Sequence, residues 1–253
     1  MFALAVIAGL ATGLVLGLLG SGGAIITVPA LIYLLGVEPK PAIAMSLGII
    51  AVTAGISLVT HWRRGNVNPE VAAVFAVFSS MGTYLGARIG LLMPASLQLA
   101  LFAVVMLAAA WRMLRPEGAA PTGETGGTAK AVTPARIARI ALPGFLVGGL
   151  AGMVGVGGGF LIVPALVLLS GLPMKRAVGT SLAIVTANSL AGFAGYAGDI
   201  AIDYPLMATF TAIAVAGSFA GTAASRHVSA PVLKKGFAGL LVVVAVYIIA
   251  REI

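Results

Sequence analysis

Gly17-Leu18-Leu19-Gly20-Ser21-Gly22-Gly23-Ala24-Ile25-Ile26-Thr27-Val28-Pro29-Ala30-Leu31 reads as an apolar helix end, a glycine tip and a short apolar return closed by proline. The chain repeats it 135 residues later as Gly152-Met153-Val154-Gly155-Val156-Gly157-Gly158-Gly159-Phe160-Leu161-Ile162-Val163-Pro164-Ala165-Leu166. The same offset aligns Gly9 with Gly144, Gly13 with Gly148, Gly36 with Gly171, Lys40 with Lys175, Ala42 with Ala177 and Ser46-Leu47 with Ser181-Leu182. Later it places Gly82 and Gly86 over Gly217 and Gly221. Shared Pro, Lys and Ser at one fixed spacing mark a duplication rather than a coincidence of composition. The expected organisation is a first repeat over 1–115, a connector over 116–135 and a second repeat over 136–253. The connector is rich in Gly, Thr, Pro and Ala and carries Glu117, Glu124 and Lys130, so it reads as a flexible aqueous loop.

Composition sets the solvent. Apolar residues make up 60% of the 253 positions and charged residues 9%, against roughly 25% charged in an ordinary soluble domain. Segments such as 1–19, 41–60, 71–93, 97–111, 177–196 and 230–250 are nearly uncharged and about as long as a bilayer crossing, roughly 20 residues. The formal charge of +8 does not indicate nucleic acid, because Lys and Arg lie between these segments rather than in one basic domain. The chain has no cysteine, which excludes disulfides, thiolate metal sites and a cysteine nucleophile. Residues 1–19 have no basic residue ahead of them and are expected to belong to the mature fold rather than to a signal peptide.

Basic residues set the expected orientation, because short cytoplasmic loops collect Lys and Arg. His61-Trp62-Arg63-Arg64 reads as cytoplasmic, whereas its counterpart in the second repeat holds Asp199 and Asp203 and reads as external. At the next loop the bias reverses, with Arg226, His227, Lys234 and Lys235 opposite a stretch around Pro94 that has only Arg88 nearby. Arg112, Arg115, Arg136 and Arg139 place the connector in the cytoplasm and the N-terminus outside. Equivalent loops thus fall on opposite faces, which describes inverted-topology repeats. Between Arg139 and Lys175 only about 36 residues are available, too few for two full spans and a turn. Each repeat is therefore expected to be a broken-helix hairpin of two short helices with a glycine tip inside the membrane, followed by three transmembrane helices. The fold class is an all-α polytopic membrane protein of about ten helical segments, the pattern of a transporter with discontinuous helices.

The candidate substrate-binding residues follow from the tips and from polar groups at depth. At the tips they are Gly20, Ser21, Gly22 and Gly23 in the first repeat and Gly155, Gly157, Gly158 and Gly159 in the second. Glycine leaves backbone amides accessible, and a helix starting after a break presents free N–H groups to an anion. Two inverted copies would bring two such ends together. Ser46, Thr180, Ser181 and Asn188 form a second layer, supplying neutral donors without a buried charge; Thr53 faces Asn188 in the repeat. Glycines at four-residue spacing (Gly9/Gly13/Gly17, Gly144/Gly148/Gly152, Gly82/Gly86/Gly90, Gly217/Gly221) read as helix-contact faces instead. Arg88 reads mainly as snorkelling to the interface, Lys40 and Lys175 as topology residues, and His61, Asp199 and Asp203 as solvated loop ends. No catalytic residue, metal constellation or cofactor is expected; the glycine runs fit neither the dinucleotide nor the phosphate-loop spacing.

These residues resemble the TauE/SafE family of sulfite exporter-like permeases, also called the 4-toluene sulfonate uptake permease (TSUP) family. The likeness rests on 17–29, on 152–164 and on Lys175-Arg176-Ala177-Val178-Gly179-Thr180-Ser181-Leu182, and extends over essentially the whole chain outside the connector. It implies a multi-pass carrier of the cell inner membrane for sulfite, organosulfonates or related oxyanions. The first tip departs from the second in having Ser21 and Ala24 where the other has Val156 and Gly159. The expected activity is secondary transport by alternating access, with an oxyanion between the tips and either an ion gradient, of protons or sodium, or the substrate's own gradient as driving force. A passive anion channel and an intramembrane enzyme are the alternatives. The expected partners are the small anion, the coupling ion and the lipid bilayer, with no nucleic acid; oligomeric state is not written in the sequence.

Overall fold

The structure is a computed structural model that describes residues 2–19, 23–114, 134–155, 162–163, 165–166, 172–224 and 230–252. Among the described residues every regular element is helical. The first repeat holds α1 (Phe2–Leu19), α2 (Gly23–Pro29), α3 (Pro39–Arg63), α4 (Pro69–Leu92) and α5 (Ala95–Leu114). The second holds α6 (Pro134–Val154), α7 (Met174–Tyr196), α8 (Tyr204–Ala224) and α9 (Ala230–Glu252). Four of them, α3, α4, α7 from Arg176 and α8, are long and apolar enough to cross a membrane, and apolar runs of 10–17 residues occur in the others. Large apolar side chains such as Ile7, Val77, Met81, Val104 and Val243 are exposed on the outside of the bundle, where lipid and not water suits them.

Of the arms that lead to the tips, α1 has 18 residues and α6 has 21, and the apolar run of α6 is the short stretch Ala141–Val154. In the first repeat the return is α2 followed by a π-turn over Ala30–Leu34. Pro29 brings no N–H to the helix, and beyond it the ladder widens, with the Leu35 N–H donating to the Ala30 carbonyl at 3.2 Å. Two of the long helices, α4 and α8, start on a side-chain cap: Asn68 Oδ1 accepts the Val71 N–H at 3.2 Å, ahead of Pro69 at the first helical position, and Asp203 Oδ1 accepts the Leu206 N–H at 2.9 Å.

The glycine stripes govern packing as their spacing implies. α1 lies against α8, and α4 against α6. A Cβ on Gly13 would overlap the Ala214 carbonyl, and one on Gly148 would overlap that of Ser79, its counterpart in the repeat. Gly17 against Ser218 matches Gly152 against Thr83, Gly82 against Phe145 matches Gly217 against Leu10, and Gly86 against Gly149 matches Gly221 against Leu14. Each of these four close approaches is thus made twice, with roles exchanged. Backbones meet without intervening side chains, the geometry that small residues permit between membrane helices.

α3 and α7, which are equivalent in the repeat, pack on each other at the centre. Gly48 sits by Phe193 and Gly55 by Thr186, so residue numbers rise on one helix as they fall on the other: the pair is antiparallel. In this register Thr53 and Asn188 stand at the same level. They are also each other's counterparts at the 135-residue offset.

Candidate functional site

Asn188 is fully buried. Its Oδ1 accepts hydrogen bonds from Ser79 Oγ at 2.7 Å and Ser80 Oγ at 3.1 Å, both from α4. Its Nδ2 has no partner among the described residues, and neither do the hydroxyls of the buried neighbour Ser189 and of Ser57 on α3. Thr53 donates to the Ile49 carbonyl of its own helix at 2.7 Å. This central layer is polar, uncharged and shut off from the outside, in surroundings where an unmet donor costs about 1–3 kcal/mol.

Gly155, where the second tip begins, is held by the first repeat. Gly155 takes a left-handed backbone, φ +77°, where a side chain would strike Ile43. Its carbonyl accepts a hydrogen bond from Ser46 Oγ at 2.5 Å, and Ser46 also reaches the Ile43 carbonyl at 2.7 Å. Two of the predicted residues, one from each repeat, are therefore in contact. The carbonyls that end α6 are closed off as well. Gln98 Nε2 donates to the Met153 carbonyl at 2.8 Å and to Tyr196 Oη at 3.2 Å, and the Tyr196 hydroxyl lies 3.3 Å from the carbonyls of Gly152 and Met153. Gln98 on α5 and Tyr196 on α7 are both buried, and they satisfy groups that a helix end would otherwise leave orphaned.

The remaining predicted residues occupy separate places. Ser181, the counterpart of Ser46, is buried and donates to the Val178 carbonyl at 2.8 Å. It stands well away from Ser46: each serine is seven residues from the Thr53–Asn188 level in opposite directions along the antiparallel pair, about 10 Å apiece at 1.5 Å per residue. Thr180 Oγ1 accepts the Asn68 N–H at 3.0 Å and so ties the α3–α4 loop to α7; Gly179 beside it leaves room for the Asn66 carbonyl. Gly23 packs where a Cβ would meet Leu16 and the Thr12 carbonyl of α1. Gly20, Ser21, Gly22, Gly157, Gly158 and Gly159 lie outside the described residues.

Charged groups at the end of the bundle where α3 begins do more than the sequence reading gave them. Arg88, expected to snorkel, forms an ion pair with Asp199 across the two repeats, both side chains being about half exposed. Lys40 Nζ donates to the Leu91 carbonyl at 2.8 Å, closing the C-terminal end of α4. At the opposite end, where α3 terminates, His61 is not a solvated loop end: it is 6% exposed, and neither ring nitrogen has a hydrogen-bond partner among the described residues. Its position 135 residues before Tyr196 was the available signal. Ser79, Ser80 and Gln98 gave none, because their partners lie on helices distant in sequence.

A bundle of long apolar helices, packed through glycine faces and enclosing an uncharged polar layer, is that of a polytopic membrane protein. The family model described as "Sulfite exporter TauE/SafE" matches residues 5–248. Two proteins of Xylella fastidiosa, each named "Probable membrane transporter protein", are similar to this chain. The one from strain Temecula1 is 33% identical over 243 residues, covering 95% of this chain and 92% of the relative. That from strain 9a5c is 34% identical over 244 residues with the same coverage. "Probable membrane transporter protein YdhB" of Bacillus subtilis is 26% identical over 227 residues, covering 88% of this chain and 89% of its own. No solved structure matches. The chain belongs to the TauE/SafE family of membrane transporters.

Proposed function

We propose that the protein is a secondary carrier that moves a small sulfur-containing oxyanion, such as sulfite or an organosulfonate, across the inner membrane by alternating access. The observation that carries this reading is the buried, uncharged layer at Asn188, whose amide nitrogen has no partner among the described residues. An oxyanion offers acceptors to such donors, and neutral donors hold it without the cost of a permanently buried charge. The family description, which names sulfite export, supports the substrate class. The two repeats enter the membrane in opposite senses in this reading, with the N-terminus outside and the 116–135 connector in the cytoplasm. The antiparallel α3–α7 pair and the exchanged glycine contacts support that arrangement.

The level difference between Ser46 and Ser181 reshapes the expected site. The anion is bound at the central layer, between the level of Ser46 and Gly155 and the level of Ser181. The sequence contains no nucleotide-binding motif, so a proton, sodium or substrate gradient drives the cycle, and the two repeats rock about an axis between Thr53 and Asn188. The protein is a carrier and not an enzyme. The test is uptake of radiolabelled sulfite by liposomes containing the purified protein. Saturable uptake well above that of empty liposomes is expected; uptake equal to empty liposomes removes the substrate assignment.

A further inference from the structure

Thr53, Ser57 and His61 are four residues apart on α3 and therefore share one helix face, running from the central layer to the end where α3 terminates. All three are buried, the most exposed of them, His61, at 6%. The Ser57 hydroxyl and both ring nitrogens of His61 lack partners among the described residues. A stripe of unmet hydrogen-bonding groups in a packed helix face carries a standing penalty, and nothing else in the described residues discharges it. The same face of α7 reads Asn188, Gly192 and Tyr196. There the serine is replaced by glycine, and the terminal residue is a tyrosine whose hydroxyl faces the α6 carbonyls and Gln98. The two faces are consequently unequal: one ends on Tyr196, whose hydroxyl is engaged, and the other carries the free Ser57 hydroxyl and ends on an imidazole at the level of Thr180.

We infer that Thr53, Ser57 and His61 form the track along which the anion passes between the central layer and the Arg63 end of the bundle, with His61 as an anion-binding residue. The inference rests on the carrier reading. In neutral imidazole one nitrogen carries a hydrogen, which can be donated to an oxyanion oxygen, while the other accepts. Tyr196 does no such work, because its hydroxyl is engaged by Gln98 and the end of α6.

The experiment measures the KM and maximal rate of radiolabelled sulfite uptake in liposomes for the wild type, His61→Leu and His61→Gln, with thermal unfolding of each in detergent. His61→Leu removes the donor and is expected to raise KM at least tenfold. His61→Gln keeps an N–H donor and is expected to stay within about threefold of the wild type. Wild-type KM in the leucine variant overturns the inference while leaving the carrier reading intact. Equal loss in both variants together with a lowered unfolding temperature also overturns it, in favour of a packing role. Should His61→Leu fail to fold, the glutamine variant decides: near-wild-type KM supports the inference and a tenfold rise overturns it. A wild type that takes up no sulfite removes both.

Discussion

Gly148→Val and Gly13→Val are each expected to abolish recovery of folded protein, whereas Gly144→Ala, one turn away from Gly148 on the same stripe, is expected to be silent. At Gly148 the added carbon would overlap the Ser79 carbonyl, and at Gly13 that of Ala214. Neither neighbour is a side-chain tip that can swing aside. Relief requires moving α6 off α4, or α1 off α8, and each of those pairs holds one repeat to the other. Overpacking typically costs about 1–3 kcal/mol, and backbone against backbone places these variants at or above the top of that range. At Gly144 the nearest atom to the added carbon is the Phe75 carbonyl oxygen at 3.7 Å, an ordinary contact. The yield of monodisperse protein and the unfolding temperature in detergent separate the cases. A well-folded Gly148→Val would contradict the packing described for α4 and α6.

Asn188→Leu is expected to fold and to fail in transport. Leucine has a similar volume and removes a buried amide, and the freed Ser79 hydroxyl lies 3.4 Å from the Ala76 carbonyl of its own helix, to which it can turn. Unfolding temperature should therefore change little. Two amide hydrogens offered to an anion contribute about 1.5–3 kcal/mol each, so their loss lowers affinity on the order of 100-fold or more. Binding of sulfite by calorimetry and uptake in liposomes should fall together. Retained affinity in a folded Asn188→Leu protein would move the substrate away from the axis.

The architecture was largely legible because membrane packing writes itself into sequence. Gly13, Gly17, Gly82, Gly86, Gly148, Gly152, Gly217 and Gly221 recur at four-residue spacing because backbones must touch there, and each does meet a backbone atom of the other repeat. The 135-residue offset similarly identified the equivalence of α3 with α7 and of Ser46 with Ser181. What stayed hidden was depth and pairing. A length argument detected the shortage of residues before Lys175, but no length reports which groups meet at the hairpin, such as Ser46 and Gly155. The bonds of Asn188 to Ser79, Gln98 to Met153 and Arg88 to Asp199 join residues tens of positions apart or more, and no local period reports them. His61 was read with the arginines that follow it, whereas its surroundings are set by packing.

The chain has no cysteine, so Ser79→Cys provides a single thiol that keeps the size of the side chain donating to Asn188. In the alternating-access account the central layer opens to each face in turn. An anionic, membrane-impermeant thiol reagent applied to oriented vesicles should modify Cys at position 79 from either face, and sulfite should slow the reaction from both. A thiol that reacts from neither face, or at a rate indifferent to sulfite, would contradict a substrate site at the axis.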